Sequence, residues 1–143
     1  MTLDENKAIV RAFVDAWNTK DFGRFDELMA EDAMLHVSGT TISCSPAATR
    51  AIAEYWTAAF RDWRFDLLDL IAEGDRVVAH MPYRGTLTGP VLDLPATGRS
   101  VHVDEMVIFR IADGRIAQAW EVYDEHTMRR QLGATIEVLT AQT

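Results

Sequence analysis

The sequence predicts an α+β domain in which N-terminal helices are wrapped by a curved antiparallel sheet, and three observations lead there. Apolar residues recur at helical spacing up to Trp63, strand-type segments follow from Arg64, and Gly- and Pro-containing turn signals separate those segments. Helices first and hairpin-linked strands second is the α+β order. A long, bent sheet folded over helices leaves a pocket at its open end, the first place to look for a site.

The elements follow in turn. Thr2 and Glu5 are spaced for a capping box, and Ile9, Val10, Phe13, Val14 and Trp17 then mark one face of a helix running to about Asn18. Asp21 is placed to cap a shorter helix in which Phe22, Phe25, Leu28 and Met29 share a face. Ala33 to Val37 reads as a short strand, and Ser45-Pro46 opens a helix with Ile52, Tyr55, Trp56, Phe60 and Trp63 on its inner side. Four β-rich segments come next: Arg64–Ala72, Arg76–Thr88, Arg99–Ile111 and Arg115–Tyr123. Glu73-Gly74-Asp75, the Gly89–Gly98 loop and Ala112-Asp113-Gly114 divide them, and Gly85 is the expected bend in the second. A last helix runs from Asp124 to about Leu132 and stops at Gly133. The expected organisation is one domain over residues 1–134 with a tail over 135–143.

Composition narrows the function classes. A chain of 143 residues with 48% hydrophobic and 25% charged residues has the balance of a folded globular domain and buries roughly two-thirds of its unfolded surface. Net charge is −8, and with no concentrated basic face a nucleic-acid partner is not expected. No apolar run approaches the roughly 20 residues that span a bilayer, and the acidic opening Met1–Asn6 does not read as a secretory signal. Neither a membrane partner nor export is expected, which leaves the cytoplasm. Cys44 is the only cysteine and has no adjacent His, so it is a poor nucleophile, and no intramolecular disulfide exists. The four His residues show no metal-ligand spacing.

Several segments resemble the SnoaL-like polyketide cyclase branch of the nuclear-transport-factor-2-like superfamily. They are Val14-Asp15-Ala16-Trp17-Asn18-Thr19-Lys20-Asp21, Glu73-Gly74-Asp75-Arg76-Val77-Val78-Ala79 and Leu94-Pro95-Ala96-Thr97-Gly98-Arg99. Ile108-Phe109-Arg110-Ile111-Ala112-Asp113-Gly114-Arg115-Ile116, Trp120-Glu121-Val122-Tyr123-Asp124 and Gln131-Leu132-Gly133-Ala134 complete an ordered set. The resemblance implies a cone-shaped, cystatin-like α+β barrel, a homodimer, a small-molecule substrate, and no metal or organic cofactor. It also implies a pocket carboxylate that removes a proton next to a carbonyl so that a ring closes by an aldol reaction. The family's carboxylate is an Asp directly after the Trp of the last long strand, where this chain has Glu121 after Trp120. A family His in the strand before falls near Val107, whereas the early-strand His has a counterpart in His36. The superfamily also holds isomerases, hydrolases, dehydratases and proteins that only bind ligands, so the fold alone does not choose among them.

The residues carry their own chemistry. A carboxylate in a dry pocket holds its proton more tightly, and a second carboxylate strengthens the effect, which suits Glu121 to proton abstraction from carbon at neutral pH. A three-residue Ala112-Asp113-Gly114 loop, the favoured reading, pairs Ile111 with Arg115 and sets Glu105 opposite Glu121. A two-residue Asp113-Gly114 turn instead pairs Glu121 with Met106 and brings Asp104 near. His36 is either a donor to a developing enolate oxygen or a side chain satisfied by the backbone. The candidate catalytic set is Glu121, His36 and Glu105. Trp17, Trp56, Tyr55, Tyr83 and Tyr123 are the candidate substrate-binding residues, with plain core packing as the alternative for aromatics at helical spacing. A non-catalytic ligand-binding or accessory domain is the rival to an enzyme.

Overall fold

Thr2 starts the first helix through its hydroxyl, which accepts a hydrogen bond from the Glu5 amide at 3.0 Å and donates one to the Glu5 carboxylate at 3.2 Å. The Glu5 carboxylate therefore closes the cap on the hydroxyl rather than on the Thr2 amide. The computed structural model describes residues 1–133; the tail expected over 135–143 lies outside them. The elements are α1 (Leu3–Thr19), a 3-10 turn (Phe22–Arg24), α2 (Phe25–Leu28), β1 (Met29–Val37), β2 (Thr40–Ser43) and α3 (Pro46–Ala59). Then come β3 (Arg64–Phe65), β4 (Asp69–Glu73), β5 (Arg76–His80), β6 (Tyr83–Thr86), β7 (Ser100–Val103), β8 (Glu105–Ala112), β9 (Arg115–Tyr123) and α4 (Glu125–Gln131).

The caps at Ser45 and Asp124 form as the sequence indicates: Ser45 accepts from the Ala48 amide and Asp124 from the Thr127 amide. Asp21 precedes a 3-10 turn instead of an α-helix, and its side chain makes no capping hydrogen bond. Strand β2 is absent from the sequence reading. Its signal was the Ser38-Gly39 pair, which adopts φ of 51° and 76° and closes a two-residue hairpin back to β1.

Six strands form one sheet in the order β2-β1-β9-β8-β5-β4, and three form a second in the order β3-β6-β7. All pairs are antiparallel except β1 with β9, which is parallel and corrects the expectation of a purely antiparallel sheet. Three of the long segments foreseen in the sequence each break once. The breaks fall at Asp66–Leu68, at Met81-Pro82 and at Asp104, so neighbouring strands crease together and the second sheet continues the first at an angle. Pro82 has no amide hydrogen to donate to a ladder, which fixes the middle break. The bend is therefore at Pro82 and not at Gly85, which sits in regular pairing with Val101.

Gly85 has a different reason to be glycine. A Cβ there would stand 3.1 Å from Phe60 Cβ and 3.2 Å from Phe60 Cδ1, so the end of α3 packs directly on the β6 backbone. Gly85→Val should destabilise the fold by about 1–3 kcal/mol, the usual cost of overpacking, read as a lower urea midpoint with unchanged slope. The core lies between the helices and the concave side of the sheet, around Val10, Val14, Phe25, Phe60, Val77 and Phe109.

Candidate functional site

The hairpin between β8 and β9 decides which side chains face inward. Asp113 and Gly114 both take positive φ, 52° and 75°, and Ala112 pairs with Arg115. The expected three-residue loop does not form, because Asp tolerates the left-handed region and closes the tighter turn. A β-bulge follows at once: Ile111 pairs with Ile116 but Arg110 pairs with Gln118, leaving Ala117 as an extra residue on β9. Glu121 consequently lies opposite Val107, and Glu105 lies opposite Tyr123. The two carboxylates are not directly opposed. They are diagonal neighbours on the inward face, on the order of 7 Å apart at Cβ, and both line the same cavity. Asp104 faces the other way and accepts a hydrogen bond from His80 Nε2 at 2.6 Å, so it is no partner for Glu121.

That cavity measures about 220 Å³ and is walled by Trp17, Trp56, Trp63, Tyr83 and Tyr123 around the two carboxyls. A smaller chamber of about 60 Å³ adjoins it and shares the carboxyls as wall. Among the described residues, no Lys, Arg or His lines either space. Glu105 is only 6% exposed, and burial followed by the charge of Glu121 raises its pKa well above the usual carboxylate value. Glu121 is partly buried, and removal from water pushes its pKa up to about 7. Two interacting acids with no cation between them share protons rather than ionise together.

Aromatic groups fix the walls. Trp63 stacks on Tyr83 with centroids 4.4 Å apart. The Tyr83 hydroxyl reaches Met128 Sδ at 3.1 Å, and Tyr123 donates to Glu125 Oε1 at 2.8 Å, so α4 ties both rings. The indole N–H groups of Trp17 and Trp63 are buried and have no acceptor among the described residues.

Two of the expected site residues stand elsewhere. His36 lies on β1 between Leu35 and Val37, which line the cavity, and strand alternation turns its ring to the opposite face. There it stacks on Trp120 at 5.3 Å and meets Gln118 Nε2 at 2.7 Å and Thr41 Oγ1 at 3.0 Å. It does not reach the carboxyls. Tyr55 is 48% exposed and accepts a hydrogen bond from the Leu92 amide at 2.6 Å, outside the cavity. Trp17, Trp56, Tyr83 and Tyr123 are brought together as expected. Leu35, Phe65 and Cys44 also line the chambers; alternation along β1 was the available signal for Leu35. Burial, then the Glu121 charge, pushes the Cys44 thiol up to about 12, which leaves it inert. No cluster of three potential metal ligands occurs among the described residues, and no helix among them is long and apolar enough to cross a membrane.

The family model for the SnoaL-like polyketide cyclase matches residues 7–132. The chain belongs to that family. Solved structures agree with this SnoaL-like assignment. TsrD from Streptomyces laurentii is 30% identical, with 94% of this chain and 99% of that one covered and a TM-score of 0.84. IdmH, a candidate polyketide cyclase from Streptomyces antibioticus, is 27% identical over 90% of this chain and 99% of its own, with a TM-score of 0.79. A SnoaL-like polyketide cyclase from Agrobacterium tumefaciens shares the fold at 24% identity, covering 93% of this chain and 100% of that one, with a TM-score of 0.76. No curated protein matches the chain. In SnoaL-like terms, the inward acid after the Trp of the last long strand is Glu121, and the position across the ladder from it is Val107.

Proposed function

We propose that this SnoaL-like protein is a cofactor-independent acid/base enzyme. It acts on a small apolar carbonyl compound, as a polyketide-type ester or aldol cyclase or a related isomerase or hydrolase. The supporting observation is the pair of inward carboxyls in a cation-free aromatic cavity. Ionised Glu121 takes a proton from the carbon next to a carbonyl. Protonated Glu105 donates a hydrogen bond to the enolate oxygen, the part for which His36 had been the candidate. In a cyclase the enolate carbon then bonds to a second carbonyl carbon of the same molecule, and Glu121 returns its proton to the new alkoxide. Atoms and charge balance without a further reactant.

The test is proton exchange at carbon. With 2-tetralone in D₂O, deuterium incorporation followed by NMR should rise with pH through a midpoint near 7, where Glu121 ionises. A rate no faster than buffer at every pH would remove the base from the mechanism. It would favour the second reading, a ligand-binding or accessory member of the family, for which the apolar Val107 in place of a His speaks.

A homodimer, which the resemblance implies, is the assembly we propose with it. The outer face of the six-stranded sheet supports it: Met106, Ile108 and Val122 are 50%, 37% and 74% exposed there, and Ile71 is 64% exposed on β4. Val122→Lys should convert the dimer to monomer in light scattering, with circular dichroism unchanged.

A further inference from the structure

The two chambers divide the work of recognition, and the division points to a substrate class. The inner chamber of about 60 Å³ is walled by Met29, Cys44, Val107, Phe109 and Ala119. It meets the outer chamber at Trp17, Leu35, Phe65 and the carboxyls of Glu105 and Glu121, which line both. At that junction the Trp17 indole N–H has no acceptor among the described residues, whereas the polar groups of the inner wall are committed. The Thr49 hydroxyl donates to the Cys44 carbonyl at 2.9 Å, and Cys44 is a protonated thiol. Space of this size exceeds that of one water, yet away from the edge formed by the carboxyls and the Trp17 indole its wall is apolar or already hydrogen-bonded, which suits an alkyl group better than water.

We propose that the inner chamber is a subsite for a short, unbranched alkyl group, so that the substrate is a carbonyl compound with a flat body and a side chain of about two to four carbons. The inference rests on the acid/base reading for which atom reacts, but not for the subsite itself. The flat body lies among the aromatic rings of the outer chamber. The alkyl group passes the carboxyls, which places the carbon that bears it beside Glu121. Val107 fits this arrangement. It faces Glu121 across the ladder and forms part of the alkyl wall, so a polar side chain there would obstruct the subsite.

The experiment uses the 2-naphthyl alkyl ketones, methyl through hexyl, titrated against intact protein by quenching of tryptophan fluorescence. Affinity should rise about fourfold with each methylene, the yield of burying one such group, and stop rising once the chamber is full. Ala119→Leu should abolish the rise while leaving the methyl ketone bound as before. The ketone series reads binding alone and 2-tetralone exchange reads the base, so that failure of the base and failure of the subsite are separate results. Xenon pressed into crystals of the unaltered protein gives a readout free of folding effects: an atom is expected beside Val107 and Ala119. A flat affinity series in the unaltered protein, an undiminished rise in folded Ala119→Leu, or xenon absent from the chamber would each overturn the subsite.

Discussion

Glu121→Gln should reduce 2-tetralone exchange by about 10²-fold or more at pH 8 and leave the fold intact. The amide keeps the shape of the side chain and its place opposite Val107 on β9, but it has no basic lone pair to take a proton from carbon. The loss of a general base is typically worth 10²–10⁴-fold. The pH dependence should vanish with the rate, because the rising limb near 7 is the ionisation of this group. Glu105→Gln is the informative comparison. It removes the proton donor but no charge, because Glu105 is protonated where Glu121 ionises, so the exchange rate should fall while the midpoint near 7 stays in place. A Glu121→Gln protein that retains near-normal exchange would exclude Glu121 as the base.

Stability should fall as the solution is made more alkaline, by about 3 kcal/mol between pH 4.5 and 7 for Glu121 alone. The sign follows from proton counting. In the unfolded chain the carboxyl has its ordinary value of 4.5, and in the fold it is raised to about 7. Between those values the folded state holds the extra proton, so stability is fully present below 4.5 and is lost as the pH rises through 7. Each unit is worth about 1.4 kcal/mol. Glu105 is shifted in the same direction by burial and then by Glu121, so it adds to the slope. Urea midpoints at pH 5 and pH 8 measure the effect. Glu121→Gln should flatten the difference and be the more stable protein at pH 8, a gain in stability accompanying the loss of rate. Equal midpoints at the two pH values in the unaltered protein would mean that the acids are solvated rather than buried.

The sequence carried the helices well, because caps and apolar spacing are local. Thr2, Ser45 and Asp124 all cap where their residue types indicate. The inward setting of Glu121 was legible from its place after Trp120, and four of the five aromatic candidates do line the cavity. What escaped is non-local. Whether the Asp113-Gly114 turn has two or three residues depends on whether Asp113 takes a positive φ, and the bulge at Ala117 left no compositional mark. His36 was a candidate through its match to the family's early-strand His. Only its stacking on Trp120 and its contacts with Gln118 and Thr41 show that it serves the outer face. The pairing of β1 with β9 is parallel across more than eighty residues of chain, and no local pattern announces such a contact.

The spare residue on β9 makes this hairpin tolerant of losing one codon. Removal of Ala117 would leave Ile111 across from Ile116 and Arg110 across from Gln118, so the ladder would simply become regular. Every residue from Gln118 to Tyr123 would keep its side of the sheet, the acid included. The shortened chain should therefore fold to the same interior, and homologues that differ by one residue here need not differ in chemistry. Orientation of the reactive group is set by the even or odd count of residues between turn and acid, corrected by a bulge at Ala117, which lines neither chamber.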